Sequence, residues 1–330
     1  MHRHHDIDLR LLFGPEHGIR GAAQDMVSVC DARDPATGLL EVSLYGRSFE
    51  SLSPSPANLS QIDVLVFDIQ DVGARYYTYA ATMALCMRAA KKAGVKVVVL
   101  DRPNPIGGLQ VEGGGLEPGL ESFCGLYPIP QRHGMTVGEL ARLYNCTFGI
   151  GCELETVACE GWSRRAYHDE CDLPWVTPSP NMPTLETAMV YPGMCLLEGT
   201  NLSEGRGTTR PFELLGAPYV DGRKLADELR RLDLPGLLFR PCVIEPAFHK
   251  FAGQRCCAVQ LHVTDRRTFN AYRTGIAVLI AVRKLWPEAF AWRTHVYEFR
   301  DDVPAIDLLT GKPAVREAID RGQELEEAWA

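Results

Sequence analysis

The 330-residue sequence lacks several features that would assign it to a class at once. No apolar run reaches the ~18–20 residues of a membrane-spanning helix, and the first ten residues have no apolar signal-peptide core. Lys and Arg number 34 against 42 Asp and Glu, without a long basic run, which argues against a nucleic-acid partner. The sequence therefore predicts a globular protein with no membrane span and no secretory signal.

Common catalytic and cofactor motifs are also missing. No Gly-x-Gly-x-x-Gly opens a helix, and the Walker, Gly-x-Ser-x-Gly and His-Glu-x-x-His patterns do not occur. The 11 cysteines contain no Cys-x-x-Cys pair, which argues against a disulfide framework and a zinc site. The terminal residues His2, His4 and His5 are expected to fray rather than bind a metal. We therefore expect no metal and no cofactor.

What is present in the first half is an alternation of short apolar runs and helical patterns. Residues 63–69 and 95–100 are nearly continuous apolar runs, typical of parallel strands buried on both faces. Residues 76–93 between them have helical spacing, so this β-α-β unit predicts a parallel sheet. Further elements are expected as strands at residues 9–13, 39–45 and 153–159, and as a helix at residues 136–144 whose Thr136 and Glu139 form a capping-box pattern.

The second half of the sequence predicts a separate domain. Residues 162–218 are rich in turn residues and have little periodicity, which favours a functional irregular segment. Beyond them the expected elements are helices at residues 221–232 and 268–285, strands at 237–244 and 256–264, and a helical tail from about residue 314. We place the boundary near Ala217, giving domains of residues 1–217 and 218–330.

Acids and arginines follow three of the predicted strands. The charged and polar loop residues are Glu16, His17 and Arg20 after the first strand, Asp68, Gln70, Asp71 and Arg75 after the second, and Asp101, Arg102 and Asn104 after the third. Ligands of open parallel sheets bind at the carboxyl ends of the strands, so we expect the three loops to converge. The alternative is that these residues cap helices or pair locally.

The sharpest candidate is the pair Glu16 and His17, in the turn GPEHG. A carboxyl group between Pro and Gly is held on a stiff turn, and Glu serves as a general acid or base when its surroundings tune it. We expect His17 to position or tune Glu16. The alternative is an ion pair between Glu16 and Arg20.

A second candidate segment is residues 200–210, TNLSEGRGTTR. Gly205 and Gly207 would let backbone N–H groups approach a ligand, while Arg206 and Thr208 add donors. This arrangement leaves open an enzyme that handles phosphates or nucleotide sugars. Glu198 and Glu204 are further acids, Glu213 is expected on a helical surface, Arg132 and His133 precede a helix, and aromatic residues such as Tyr76 could stack on sugars.

Taken together, these segments resemble one family, the exo-β-N-acetylmuramidases of bacterial cell-wall turnover (NamZ-like glycoside hydrolases). The resemblance runs from residue 12 to about residue 265. The stretches that carry it are LFGPEHGIRG, FDIQDVGARYYTYAATM, VVVLDRPNPIGG, PIPQRHGMTVGELARLYN, WVTPSPNMPT, VYPGMCLLEGTNLSEGRGTTRPFELLGAP and FAGQRCCAVQLHVTD.

The resemblance implies an α/β protein with a Rossmann-like parallel-sheet domain and a smaller α/β C-terminal domain, with the site at their junction. Relative to the family, the first β-α unit is expected to be missing. The implied reaction removes N-acetylmuramic acid from the non-reducing end of peptidoglycan fragments without a cofactor. A glycan-binding module without catalysis is the alternative.

For this reaction we expect Glu16 to be the general acid or base, with His17 beside it. The second carboxyl is left open among Asp71, Asp101 and Glu204. Arg75, Arg132 and Arg206 could supply the cation that the lactyl carboxylate of muramic acid needs. The full set of expected substrate-binding residues is Arg20, Asp68, Gln70, Arg75, Tyr76, Asp101, Arg102, Asn104, Arg132, His133, Asn181, Glu198, Arg206 and Thr208.

Overall fold

A computed structural model describes residues 1–329 of the chain. The strands, in chain order from β1 to β9, are Leu11–Gly14, Ala32–Arg33, Leu40–Ser43, Val64–Phe67, Lys96–Leu100, Leu154–Val157, Leu214–Ala217, Leu237–Ile244 and Cys256–Val263. The α-helices, from α1 to α9, are Pro56–Leu59, Tyr79–Ala93, Val137–Arg142, Leu185–Met194, Gly222–Arg230, Ala271–Leu285, Ala305–Thr310, Pro313–Asp320 and Leu325–Trp329. The fold is therefore α/β, as predicted.

The predicted β-α-β unit is confirmed. Strands β4 and β5 pair in parallel with Val64 opposite Lys96, and α2 connects them. The apolar face of α2 is buried, and the helix ends at Gly94, whose left-handed φ of 70° closes the last turn. The helix begins at Tyr79, three residues later than predicted, because residues 74–78 form a buried loop that leads into the candidate site.

Strand β6 and helix α3 complete the parallel sheet, whose order is β4-β5-β6. The predicted capping box is confirmed. The Thr136 hydroxyl accepts a hydrogen bond from the Glu139 N–H at 3.2 Å, and the Glu139 carboxylate accepts one from the Thr136 N–H at 3.0 Å. Two donors that a helix start leaves unpaired are satisfied in this way.

Strand β1 lies in a different sheet from β4 and β5. It pairs in parallel with β3, which also pairs antiparallel with β2. Strands β1 and β4 are both edge strands of their sheets within the described residues, and both line a cavity of about 1070 Å³. The three charged loops therefore follow strands of two different sheets within the described residues.

The elements predicted at residues 221–285 are confirmed as α5, β8, β9 and α6, and β8 and β9 join β7 in an antiparallel sheet of order β7-β9-β8. Two elements inside residues 162–218 were not predicted, helix α4 and strand β7. Helix α4 was not predicted because nine of its ten residues are buried and it contains Pro192, so it shows no amphipathic period. It packs closely on α6, where a Cβ on Gly275 would come within 2.3 Å of the Gly193 carbonyl oxygen.

The expectation that Glu213 lies on a helical surface is also wrong. Glu213 is buried immediately before β7, and its carboxylate accepts a hydrogen bond from the Thr187 hydroxyl at 2.8 Å. It therefore ties β7 to the start of α4. Because α4 lies on the N-terminal side of residue 217 and packs on α6, the boundary near Ala217 remains a prediction.

Candidate active site

A polar cavity is built from segments of both halves of the chain. The residues that line it are Glu16, His17, Asp25, Tyr76, Tyr77, Thr78, Ser179, Asn181, Met182, Tyr191, Glu198, Arg206, Phe212, Tyr297 and Glu298. Six of the predicted site residues are among them, namely Glu16, His17, Tyr76, Asn181, Glu198 and Arg206. The structure thus brings together the GPEHG turn, the start of the α2 segment and the residue 198–212 region.

Glu16 is held in a fixed position at the wall of this cavity. The GPEHG turn is closed by the Gly18 N–H, which donates to the Pro15 carbonyl at 2.9 Å. One carboxylate oxygen of Glu16 accepts from the Met26 N–H at 3.0 Å, and the other accepts from the Thr78 hydroxyl at 2.7 Å. Both oxygens are acceptors, as an ionised carboxylate requires. The alternative of an ion pair with Arg20 does not occur, since Arg20 pairs with Asp34.

His17 adopts a left-handed backbone with φ of 72°, which costs a non-glycine residue about 1 kcal/mol or more. Its Nδ1 lies 2.9 Å from the Ala23 carbonyl oxygen, which can only accept. In the neutral ring Nδ1 therefore carries the proton and Nε2 is the acceptor. The ring packs against Tyr77 and Tyr79 at 6.4 and 6.3 Å between centroids.

The Arg206 guanidinium is surrounded by three carboxylates. It lies 3.1 Å from Asp25, 2.8 Å from Glu198 and 3.1 Å from Glu204, and it stacks on the Phe212 ring at 4.8 Å. Such a fork with several partners fixes Asp25 and Glu198 at the wall of the cavity. Arg206 thus acts first as an organiser of acidic side chains.

Glu204 is fully buried behind Arg206 and does not line the cavity. Its carboxylate also contacts the Lys250 ammonium at 2.9 Å and His249 Nδ1 at 3.2 Å. Burial opposes ionisation of Glu204, but the Lys250 charge, the His249 hydrogen bond and the Arg206 charge hold its pKa well below its ordinary value. These partners make Glu204 a charged anchor for Arg206.

Two further cavity carboxyls differ in their partners. Glu198 accepts a hydrogen bond from the Tyr297 hydroxyl at 2.8 Å in addition to its ion pair with Arg206. Glu298 makes no ion pair within the described residues. Burial raises the pKa of Glu298 well above its ordinary value, and the nearby charges of Glu16, Glu198 and Asp25 raise it further. Glu298 thus lies in surroundings that favour its protonated form.

Sequence reasoning missed several cavity residues, among them Asp25, Tyr77, Ser179 and Glu298. Asp25 lies nine residues after Glu16 in the same glycine-bounded loop, which is the one signal that could have found it. The Tyr77 hydroxyl is buried and has no hydrogen-bond partner in the described part of the chain. Buried polar groups are normally paired, so this hydroxyl is suited to a bound ligand.

The second charged loop does not place its acid in the cavity. Asp71 is buried, accepts from the Gly73 N–H at 2.6 Å and lies 3.4 Å from His133 Nε2. Gln70 donates to the Asp71 and Pro103 carbonyl oxygens at 2.7 and 3.0 Å. These contacts shape the loop that leads to Tyr76.

Arg75 and Arg132 are also buried away from the cavity. Arg75 donates to the carbonyl oxygens of Ile129, Leu308 and Leu309, the last at 2.7 Å. Arg132 pairs with Glu112 at 2.6 Å with both side chains buried. Of the three arginines expected to bind a lactyl carboxylate, only Arg206 therefore reaches the cavity.

The third loop contributes no side chain to the cavity. Asp101 accepts from the Thr136 hydroxyl at 2.8 Å and the Gly138 N–H at 2.7 Å, so it caps α3. Arg102 and Asp68 form an ion pair at 2.6 Å between partly exposed side chains. Asn104 bridges loop residues by donating to the Met135 carbonyl at 3.0 Å.

Replacing Asp101 with Ala is expected to lower stability without lowering catalytic turnover. The change removes an acceptor from the first turn of α3, and the loss of a helix cap costs about 1–2 kcal/mol. Urea denaturation measures the change in unfolding free energy, and the hydrolysis assay described below measures turnover. A loss of turnover in the folded variant would indicate that Asp101 takes part in catalysis.

The glycine-rich segment is packed against the protein itself. A Cβ on Gly207 would lie 2.4 Å from the Phe248 carbonyl oxygen, and the Gly207 carbonyl accepts from the Ala247 N–H at 2.8 Å. The Thr208 hydroxyl donates to the Gly205 carbonyl at 2.6 Å. These glycines therefore serve close backbone packing, and the geometry offers little support for a phosphate cradle.

Two observations concern metals and membranes. In the described part of the chain, the side chains that come close enough to share a metal ion are His4, His5 and Asp6, which are exposed at the N-terminus. No helix within residues 1–329 is long and apolar enough to cross a membrane.

Comparison with known families decides the identity of the fold. Residues 1–186 match the family model described as exo-beta-N-acetylmuramidase NamZ, N-terminal, and residues 189–330 match its C-terminal counterpart. The chain belongs to the NamZ family. The two NamZ models meet within α4, and the cavity contains residues from both sides of that point.

The chain is also similar to individual proteins. The chain is 48% identical over 321 residues to the peptidoglycan beta-N-acetylmuramidase NamZ of Bacillus subtilis (strain 168), covering 97% of this chain and 75% of that protein. A crystal structure of a DUF1343 family protein from Bacteroides fragilis superimposes with a TM-score of 0.86 at 35% identity, covering 99% of this chain and 84% of that one. A second such protein from the same organism gives a TM-score of 0.74 at 29% identity, covering 98% and 81%.

Proposed function

We propose that this chain removes N-acetylmuramic acid from the non-reducing end of peptidoglycan fragments, with the cavity around Glu16 as its active site. It is a glycoside hydrolase of the NamZ family and acts on peptidoglycan. The observation that supports the cavity as the site is the meeting of carboxyl groups and aromatic rings in it. Glycosidases use a pair of carboxyls at the scissile bond, and sugars stack on aromatic faces.

Glu16 is the carboxyl that we assign to acid/base catalysis. Its two hydrogen bonds aim it into the cavity as an acceptor, which suits a group that takes a proton from water or attacks the sugar carbon. His17 follows it on the same strained turn, and its ring also lines the cavity. A carboxyl pair about 5–5.5 Å apart would retain the anomeric configuration, and one about 6.5–9.5 Å apart would invert it.

Substrate binding is assigned to the cavity residues Tyr76, Asn181, Glu198 and Arg206. The rings of Tyr76 and Tyr191 meet edge to face at 6.0 Å and offer an apolar wall for a sugar. The lactyl carboxylate of muramic acid needs a donor, and Arg206 is the guanidinium in the cavity. Because Arg206 already holds three carboxylates, neutral donors such as the Tyr77 hydroxyl and the Asn181 amide complete the site.

The proposed activity is expected to appear as free N-acetylmuramic acid. The protein is incubated with the disaccharide of N-acetylmuramic acid β-linked to N-acetylglucosamine, and the products are separated and weighed by mass spectrometry. A matched disaccharide that starts with N-acetylglucosamine lacks the lactyl group and is expected to remain intact.

The same experiment separates the alternatives. Binding of the disaccharide without release of the sugar would favour a glycan-binding module. A thermal shift with nucleotides but none with muramic acid would favour the enzyme that handles phosphates or nucleotide sugars. Either result would contradict the proposed function.

A further inference from the structure

We infer that Glu298 is the second catalytic carboxyl, the group that donates a proton to the departing sugar oxygen. This inference rests on the proposed function and names a residue that the strand-end loops do not contain. Glu298 lies 282 positions from Glu16 in the sequence, and both side chains line the same cavity.

The backbone places Glu298 at the tip of a tight two-residue turn. Tyr297 and Arg300 pair across it, with the Tyr297 N–H donating at 2.8 Å and the Arg300 N–H at 3.0 Å. Glu298 and Phe299 have φ of 45° and 66°, the left-handed pattern of a type I′ turn. That turn favours Asn and Gly, so Glu298 and Phe299 adopt a backbone conformation that is unfavourable for their side chains.

Aromatic packing holds this strained turn in place. The Phe299 ring packs edge to face on Tyr45 at 5.8 Å, on Phe49 at 6.4 Å and on Phe123 at 6.2 Å. The Tyr45 hydroxyl lies 3.5 Å from a Glu298 oxygen. The turn thus fixes the position of a carboxyl that contributes neither an ion pair nor a helix cap to the fold.

The other cavity carboxyls already have ion-pair or hydrogen-bond partners in the protein. Asp25 and Glu198 pair with Arg206, and Glu16 accepts two hydrogen bonds. Glu298 faces these three acids, and burial raises its pKa, while the Arg293 charge opposes this only in part. Glu298 has no ion pair within the described residues, and its raised pKa favours the protonated form that a general acid needs.

An open hydrogen-bonding position lies in the same cavity. Tyr77 is 4% exposed, and its hydroxyl has no hydrogen-bond partner within residues 1–329. A buried donor without a partner indicates that a polar ligand completes this site. The acidic groups thus surround a small cavity of about 30 Å³ rather than packing only against each other.

The reaction step is balanced by water. The Glu298 proton passes to the glycosidic oxygen as the bond from that oxygen to the muramic acid C1 breaks, so the second sugar leaves as an alcohol. A water oxygen adds to C1, either directly with Glu16 taking its proton or after Glu16 has added to C1 first. The ionised Glu298 then regains a proton from the water or from solvent.

The test compares two substrates that differ in leaving group. Alkoxide leaving groups need protonation, whereas 4-nitrophenolate leaves without it. Glu298→Gln is expected to lower kcat/KM by about 10²-fold or more on the N-acetylmuramic acid disaccharide, and to stay within about tenfold of the unmodified protein on 4-nitrophenyl β-N-acetylmuramide. The basic limb of the pH profile on the disaccharide is expected to disappear.

The matched controls are Glu298→Asp and Glu228→Gln. Glu298→Asp keeps a titrating carboxyl and is expected to keep the basic limb with a reduced rate. Glu228 lies on α5, outside the cavity, and forms ion pairs with Lys284 and Arg231. Its change to Gln is expected to leave kcat/KM unchanged on both substrates. Equal loss on both substrates, or no loss on either, in folded Glu298→Gln would overturn the inference.

A stability measurement shows whether the variant is folded and how Glu298 titrates. A raised pKa means that the folded chain holds a proton that the unfolded chain releases, so its stability falls as pH rises above about 4.5. Glu298→Gln removes this slope and is expected to be more stable than the unmodified protein at pH 8. Failure of the unmodified protein to hydrolyse either substrate would instead contradict the proposed function.

Discussion

Replacing Glu16 with Gln is expected to lower turnover on N-acetylmuramic acid substrates by about 10²–10⁴-fold, the usual contribution of an acid/base residue. The loss is expected on the disaccharide and on the 4-nitrophenyl substrate alike, because Glu16 acts on water or on C1 rather than on the leaving group. The fold is expected to survive, since a Gln oxygen can still accept from the Met26 N–H and its amide can donate to the Thr78 hydroxyl.

The measurement is steady-state hydrolysis with a thermal unfolding curve for each variant. Thr78→Val is the matched control, because it removes one hydrogen bond to Glu16 but leaves the carboxyl in place. We expect it to reduce turnover much less than Glu16→Gln. Unchanged turnover in Glu16→Gln would remove Glu16 from the mechanism.

Replacing Arg206 with Met is expected to destabilise the protein by about 3–5 kcal/mol, the cost of breaking a buried ion pair from one side. Three carboxylates would lose their shared guanidinium, and Glu204 is fully buried. Lys250 would still neutralise Glu204, so most of the cost is expected to come from Asp25 and Glu198.

Guanidinium chloride is unsuitable for this measurement because its ions screen the network, so urea denaturation is used. Arg206→Lys keeps the charge but loses the planar guanidinium. Its free energy of unfolding is expected to lie between those of the unmodified protein and Arg206→Met. A decrease in unfolding free energy of less than about 1 kcal/mol in Arg206→Met would show that Arg206 contributes little to the stability of the buried carboxylates.

Elements with a local signal could be predicted from the sequence. Strands β4 and β5 are short apolar runs, α2 has a clear apolar face, and the capping box of α3 needs only two residues at the right spacing. Helix α4 could not be predicted because nine of its ten residues are buried, and this burial depends on neighbouring elements such as helix α6 rather than on the local sequence.

A local sequence motif was enough to single out one part of the site. Glu16 lies between Pro15 and His17 in the turn GPEHG, and the Pro and Gly residues of this turn predict that its side chain is held in place. Asp101 also follows a strand, but a cap and a catalytic acid look the same until Thr136 and Gly138 are seen to donate to it. Glu298 could not be predicted because it joins the site only through the fold, which brings it next to residues 282 positions earlier, and no local sequence pattern indicates this.

The hydrogen bonds of Arg75 have a practical consequence for dissecting this chain. Its guanidinium is buried, and two of its acceptors, Leu308 and Leu309, belong to α7. A fragment cut between the two family segments would strip these carbonyls from a buried cation and leave Glu16 without Glu298. Neither half should therefore be expected to fold or act when expressed alone.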